Sequence, residues 1–444
     1  MSETQRIYRA RADSISEAAT ILPADEALAH LFYEEREDVE RRVSTGGLRE
    51  ERRHWTSGAA AVGRTSLHVT GPAAEDLIHL ARAAADPSAE LRPPIGDYGT
   101  RWATRTGDGL ALEDLEEWLR AVDLPVSARV EARVVSHDQA VWVGRPGQAT
   151  AFDLRRGRRL EISVHLGDTD EAGRAVSELV LRESDTLPSG LLAETIERAR
   201  ERVALTPATG PGWKDVTAVF APGCAGVVVH ELIGHALEGD VVHEGRSWLT
   251  RPDVTALPRM LTVVDDPRRS RAPWAIDDEG TPSAALTLVD EGRVTAIVHD
   301  RASAMRASSS STGHGRRGSY LGRILPRLGC TYIENGVTRA SSIIEDTVEG
   351  VYIRRIVGGV AVPERGSARF LVTDADRIER GRLAAPLPPF PVYIDLHRHL
   401  ASLDAVGDDL WFDRCIGSCV RDGQPVATSV GAPTIRLGVI KVWT

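Results

Sequence analysis

Lysine is almost missing from this chain: Lys214 and Lys441 are the only two in 444 residues, and arginine carries the rest of the positive charge. That skew reads as the mark of a GC-rich genome rather than of a chemistry. Cysteine is scarce too. Four residues, Cys224, Cys330, Cys415 and Cys419, are too few at this length for a disulfide framework, which leaves reduced thiols or a thiolate on a metal. No run of about 18 apolar residues occurs, which argues against a membrane-spanning helix. The opening MSETQRIYRARADSISEAAT lacks the apolar stretch of a signal peptide, so the cytoplasm is the expected compartment. Basic charge is not in excess: 64 acidic residues against 54 basic give a net charge of −10, which disfavours a nucleic-acid partner. The short basic runs RRGRR (155–159) and RRSR (268–271) read as solvated strand ends or loops.

The rest of the composition, 42% hydrophobic and 27% charged, is that of an ordinary soluble protein, and the length suits two cores. Apolar residues at helical spacing predict helices over 71–86, 112–123, 170–184 and 189–205. Between them, 126–147 alternates, breaks near Ser136–Asp138 and resumes, which predicts a strand hairpin; 151–167 repeats the pattern around Arg156–Gly157. A linker rich in Gly, Pro and Thr at 206–215 marks a boundary. Beyond it, 216–222 reads as a strand and 224–240 as a helix. From about residue 260, short alternating runs separated by turn signals predict β structure in a barrel or sandwich. The expected fold class is α+β. A mixed α/β N-terminal domain spans 1–205, and a β-rich, barrel-like domain spans 206–444.

Residues 227–240, VVVHELIGHALEGD, carry the chemistry. The zinc-protease motif H-E-x-x-H places two histidines one helical turn apart. Here His230 and His235 are separated by one residue more. At roughly 100° per residue they would diverge by about 140° on a regular α-helix and could not chelate together. A single π-type turn, with i→i+5 bonding, brings them back onto one face, and such turns cluster at functional sites. Gly234 lowers the steric cost of irregular backbone there. Glu231 is then placed to act as general base on a metal-activated water. A glutamate and two histidines on so apolar a helix are costly to bury without a metal or partners. A catalytic zinc needs a third protein ligand. Spacing leaves Glu238, His243, His397, His399, Cys415 and Cys419 open.

HELIGHALEGD, followed in order by AIDDEGTP (275–282), TGHGRRGSY (312–320) and CVRDGQPVATSVGAPTIRL (419–437), resembles the TldD/PmbA family of metallopeptidases from about residue 205 to the C-terminus. The dipeptidyl-peptidase III family shares H-E-L-x-G-H but has no counterpart of the later blocks. The resemblance implies a mixed N-terminal domain, a β-rich domain holding the metal, and zinc on His230, His235 and Cys419 with Glu231 as base. Cys415 falls outside the matching position and reads as a buried thiol. Some members lack the histidine motif. This chain keeps it and is similar to the catalytic kind, which implies a dimer, often with a homologous subunit lacking the metal motif. His314 stands where the family has a small amide residue. Together with Arg316, Arg317 and Tyr320 it forms the expected substrate-binding group, favoured over a role in merely pinning a loop because paired arginines in a Gly-rich loop suit bidentate anion binding. AIDDEGTP divides evenly between a structural turn and a functional segment. Segment 388–410, with its prolines, Tyr393, His397 and His399, departs from the family and would alter substrate preference if it lined the cleft.

The expected function is zinc-dependent hydrolysis of amide bonds in short or unfolded peptides, bound as an added strand. A second hydrolytic reading is a dedicated amidase trimming an amino-acid or peptide conjugate in natural-product biosynthesis, motivated by segment 388–410 and the arginine-rich composition. A reading from another class is a non-catalytic regulatory or binding partner, which predicts that Glu231→Gln leaves function intact.

Overall fold

A computed structural model of the chain describes residues 3–443 except 25–27, 45–46, 63–64, nearly all of 71–127, 167–173, 182–189, 203–204, 206–212, 252–256, 320, 363 and 413–417. The helices expected over 71–86 and 112–123 fall almost wholly outside the described residues. Of the expected linker, 206–212 lies outside as well, and Trp213–Asp215 already belongs to a strand.

The N-terminal part is an antiparallel sheet of six strands, β1 (His30–Ser44), β2 (Gly47–Val62), β3 (Thr65–Thr70), β4 (Arg129–Gly144), β5 (Ala151–His165) and β6 (Arg174–Leu181), in the order β3-β2-β1-β4-β5-β6. Two expectations are corrected here. Residues 126–147 and 151–167 do not each fold into a hairpin. Each is one long strand, and β4 pairs with β5 in unbroken register from Arg129↔His165 to Val143↔Ala151. Strand parity explains it. Ala132 and Val134 before the polar stretch, and Ala140 and Trp142 after it, are all even-numbered and buried. One face is therefore kept through Ser136 and Asp138, as period-2 geometry requires. The even residues at the two ends of β4 pack on helices Leu191–Arg202 and Glu3–Ala19 respectively. The second correction concerns 170–184, where Arg174–Leu181 pairs with β5 as a strand instead of forming a helix. Its Val and Leu content suits a pleated surface, and sheet pairing overrides the helical spacing of its apolar residues.

The C-terminal part contains a closed barrel. Trp213–Phe220 lies between Glu349–Val362 and Ile435–Trp443; the last pairs with Phe390–Asp395, that strand with Ser367–Glu379, and Ser367–Glu379 returns to Glu349–Val362. Closure removes exposed sheet edges. The mixed α/β architecture and the barrel-like C-terminal region are as expected. Segment 388–410 supplies a barrel strand, and Phe390, Val392, Ile394, Leu400 and Leu403 are core residues. Beside the barrel lies a smaller sheet that includes Val263–Asp265, Cys330–Ile333 and Ser429–Ala432. Between the two, the segment Val227–Leu237 buries Val229, Leu232, Ile233, Ala236 and Leu237 in one core with barrel residues. Among the described residues no helix is long and apolar enough to cross a membrane.

The odd face of β4 meets the C-terminal part. Val141 and Val143 pack with Phe32 and Ile276. Arg155, fully buried in mid-strand, donates to Asp278 Oδ1 at 2.7 Å and to the Ile276 carbonyl at 2.8 Å. The RRGRR run is thus not a solvated strand end: its first arginine joins the two parts. At Gly157 the Arg271 carbonyl approaches so closely that a Cβ would lie 2.0 Å from it.

Candidate metal centre

The segment expected as one helix over 224–240 is three short helical forms in succession. Gly226–Val229 is α-helical, His230–Gly234 is a π-helix, and His235–Leu237 is a 3-10 turn, after which Glu238 is extended. The His235 N–H donates to the His230 carbonyl, the i→i+5 bond that the spacing of the histidines requires. The Leu232 carbonyl accepts instead from Trp248 Nε1 at 2.6 Å, so widening the turn leaves no buried acceptor stranded there. Gly234 has ordinary helical angles, φ −56° and ψ −58°. Its small size is needed for packing rather than for backbone freedom, because a Cβ there would lie 2.5 Å from Leu328 Cδ1.

With this turn the rings of His230 and His235 stand 4.8 Å apart at 76°. The hairpin of Ser418–Arg421 and Gln424–Ala427 delivers Cys419 Sγ to 3.3 Å from His235 Nε2. Buried Arg327 holds that hairpin, donating to the carbonyls of Cys419 at 2.6 Å and Gln424 at 3.0 Å. Among the described residues, His230, His235 and Cys419 form the one group of metal-capable side chains, their donor atoms all within 4.8 Å of one another. The other third-ligand candidates go elsewhere. Glu238 supports His235, His243 is exposed, and His399 Nδ1 accepts from the Asp395 N–H at 2.8 Å. The His397 side chain and Cys415 lie outside the described residues.

The imidazoles are oriented from behind. Thr331 Oγ donates its single hydrogen to Asp265 Oδ2 at 2.8 Å, so it accepts from His230 Nδ1 at 3.1 Å. That leaves the lone pair on Nε2, a buried nitrogen with no hydrogen-bond partner. His235 Nδ1 donates to Glu238 Oε2 at 3.0 Å, which also accepts from Arg421 at 2.7 Å, and Nε2 is turned to the same point. Carboxylate and hydroxyl partners of this kind fix the tautomer of metal-binding histidines. Burial alone would lower the His235 pKa, but Cys419 and Glu238 outweigh it and hold it well above its ordinary value. Burial would raise the Cys419 thiol, but His235 holds it well below. Both shifts describe one imidazolium–thiolate pair, and thiolate is the metal-binding form. The donor set fits zinc: with the proton of His235 Nε2 displaced by the metal, it would offer two imidazole nitrogens, one of them orphaned, and a thiolate. Glu231 Oε2 lies 4.0 Å from His235 Nε2, and its side chain is 21% exposed where the three donors are buried. Of the two carboxylates within 4.0 Å of the His235 ring nitrogens it is the more exposed one, Glu238 being fully buried.

The expected substrate group divides. His314 is fully buried, with Nδ1 on the Thr312 carbonyl at 2.8 Å and Nε2 on Asp265 Oδ1 at 3.2 Å, and it buttresses the relay behind His230. With both nitrogens engaged, it does not stand where a substrate would meet it. Arg316 stacks over Trp274 at 4.3 Å and sits 3.2 Å from Asp278 Oδ1; Arg317 lies over Phe32 at 4.7 Å and meets His30 at 3.0 Å. Tyr320 lies outside the described residues. Asp278, in the AIDDEGTP block, is the shared partner of Arg155 and Arg316, so that segment ties the two parts together. Thr331, Asp265 and Arg327 lie in no motif of the sequence, and Glu238 and Arg421 lie in quoted motifs without these supporting roles being marked.

The model of the PmbA/TldA metallopeptidase C-terminal domain matches residues 214–443. A relative from Buchnera aphidicola (Acyrthosiphon pisum), named metalloprotease TldD homolog, is 32% identical over 49% of this chain and 46% of its own. One of the same name from Haemophilus influenzae is 28% identical over 79% of this chain and 75% of its own. The chain thus spans about half the length of the Buchnera relative. In structure it is similar to TldE from Thermococcus kodakarensis, with a TM-score of 0.74, 16% identity and coverage of 97% of this chain and 99% of that one. The family match covers the π-turn histidines, the small sheet behind them and the hairpin that carries the thiolate, and the chain belongs to the PmbA/TldD family of metallopeptidases.

Proposed function

We propose that this chain is a zinc-dependent peptidase that hydrolyses amide bonds in short or unfolded peptides, with zinc on His230, His235 and Cys419. The observation that carries the reading is the orphaned, buried His230 Nε2 facing His235 Nε2 and Cys419 Sγ. Zinc, when bound, supplies a Lewis acid for the scissile carbonyl and lowers the pKa of water. Glu231 takes up a proton from the attacking water at its carboxylate and returns it to the leaving amine. Asp265 and Glu238 keep both imidazoles in the tautomer that presents Nε2, through Thr331 and directly. A dimer, with a second copy or with a homologous subunit lacking the histidine motif, belongs to the same proposal and is supported by the family resemblance; work in the cytoplasm belongs to it as well.

The test is cleavage of an unstructured peptide mixture, followed by mass spectrometry. Zinc-loaded protein is expected to cut, chelator to stop it, and Glu231→Gln to keep its zinc while losing at least about a hundredfold in rate. Full cleavage by Glu231→Gln would refute the mechanism.

A further inference from the structure

Among the described residues, positive charge gathers beside the hairpin that carries Cys419. A cavity of about 340 Å³ between the odd face of β4–β5 and the Cys419 hairpin is lined by Arg36, Arg158, Arg159, Arg271, Arg316 and Arg317, and by no carboxylate. The two basic runs of the sequence converge on it. Strand register puts Val135 opposite Arg159 and Gln139 opposite both Arg36 and Arg155, so the polar middle of the long strands forms its wall. Parts of this charge are answered: Arg159 donates to Glu161 at 2.9 Å and Arg316 sits 3.2 Å from Asp278. Yet Asp278 is shared with Arg155 and receives the Arg317 backbone N–H. Arg316 and Arg317 are 7% and 6% exposed, and Arg316 Nη1 and Arg317 Nε are buried without a hydrogen bond. Burial and the neighbouring Arg155 push Arg316 down to about 10. Buried guanidiniums left with unpaired N–H groups are costly, and an anion is what would satisfy them.

We infer that this cavity binds carboxylate groups of the peptide whose amide lies at the metal centre, and so selects acidic substrates. Ser418, adjacent to Cys419, lines it together with Pro425–Ala427 of the same hairpin. Its wall therefore begins one residue along the strand from Cys419 and includes Val426, the cross-strand partner of Cys419. Planar guanidiniums match carboxylates two bonds at a time, which a lysine-lined cavity would not. The peptide part of the inference rests on the hydrolytic reading; the anion part does not.

The experiment measures binding and cleavage separately. Binding of fluorescein-labelled peptides to the full chain carrying Glu231→Gln is followed by anisotropy, comparing a glutamate-containing peptide with its glutamine isostere, each with a free and an amidated C-terminus. The expected result is at least about tenfold tighter binding of the acidic form, weakened by added salt. Arg316→Gln is expected to abolish the preference. Arg158→Gln, at a partly exposed position that tolerates change more readily, is expected to reduce it. Loss on amidation assigns the carboxylate to the peptide terminus, and loss on glutamine substitution to a side chain; either supports the inference. Equal binding of all four peptides, a preference that survives both variants, or competition by inorganic phosphate without any peptide preference would overturn it. Wild-type cleavage is scored on the same peptides. Preference without cleavage removes the hydrolase and keeps the cavity, whereas cleavage without preference does the reverse.

Discussion

Thr331 has one hydroxyl hydrogen and Asp265 takes it, which is why His230 presents a lone pair at Nε2. The consequence can be tested without any substrate. Thr331→Ala removes the acceptor of His230 Nδ1, and zinc affinity is expected to fall about 10- to 100-fold in competition with a chromogenic chelator. Unchanged affinity would mean that the ring is oriented by something else. At this scale the sequence was legible only in part. Two histidines and a glutamate announced themselves by type and spacing. Cys419 stayed one of several candidates until the family resemblance singled it out. Thr331 and Asp265 become partners because two strands of the small sheet put them in register, Thr331 opposite Asp265, 66 positions apart in sequence. No local pattern encodes such a pairing.

The decisive element is the π-turn His230–Gly234, and the chain announces it by adding a residue between histidines that must share a face. What the spacing did not reveal is that helical structure breaks again, with Glu238 extended and turned back onto His235. Nor did it reveal the part played by Gly234, whose missing side chain makes room for Leu328. Gly234→Ala is expected to cost about 1–3 kcal/mol in denaturant unfolding through overpacking. Gly234→Ala combined with Leu328→Ala is expected to cost less than the sum of the two single changes, because the cavity from one accepts the methyl of the other. Strict additivity would show that the glycine serves the backbone instead. The long strands teach a related lesson. A polar break near Ser136–Asp138 looks like a turn, but even-numbered apolar residues on both sides keep one face, and that parity was readable.

Across the whole molecule, buried charge joins the N-terminal sheet to the AIDDEGTP segment, beside the apolar contact of Val141 and Val143 with Ile276. Asp278 serves Arg155 and Arg316, so Asp278→Asn strands guanidiniums and is expected to cost about 3–5 kcal/mol in thermal or chemical unfolding. Burial alone would raise Asp278, but Arg316 and Arg155 hold it down to about 2, below its ordinary 3.8. Its contribution is therefore complete above pH 3.8 and is lost as pH falls toward 2. Glu279 has the opposite sign: burial, with Asp277 and Asp300, pushes it up to about 8 from 4.5. Protonation favours the folded state there, so the contribution of Glu279 declines as pH rises from 4.5 to 8. Glu279→Gln should flatten that decline in melting temperatures taken at about pH 5 and about pH 8. A Glu279→Gln protein whose melting temperatures change with pH just as those of the wild type do would contradict the assignment. The sequence had marked this block no more firmly as structural than as functional, since burial of its carboxylates depends on a sheet folded from residues more than a hundred positions away.

The proposed metal site is made by one widened turn and one distant thiolate. Cobalt substitution tests it most directly, because a Co²⁺–thiolate bond gives a charge-transfer absorption that nitrogen and oxygen ligands do not. This band, together with stoichiometric metal, is expected in the wild-type protein and in Glu231→Gln, and its loss in Cys419→Ser. A wild-type protein that binds cobalt without the band, or a Cys419→Ser protein that holds zinc as tightly as before, would contradict it.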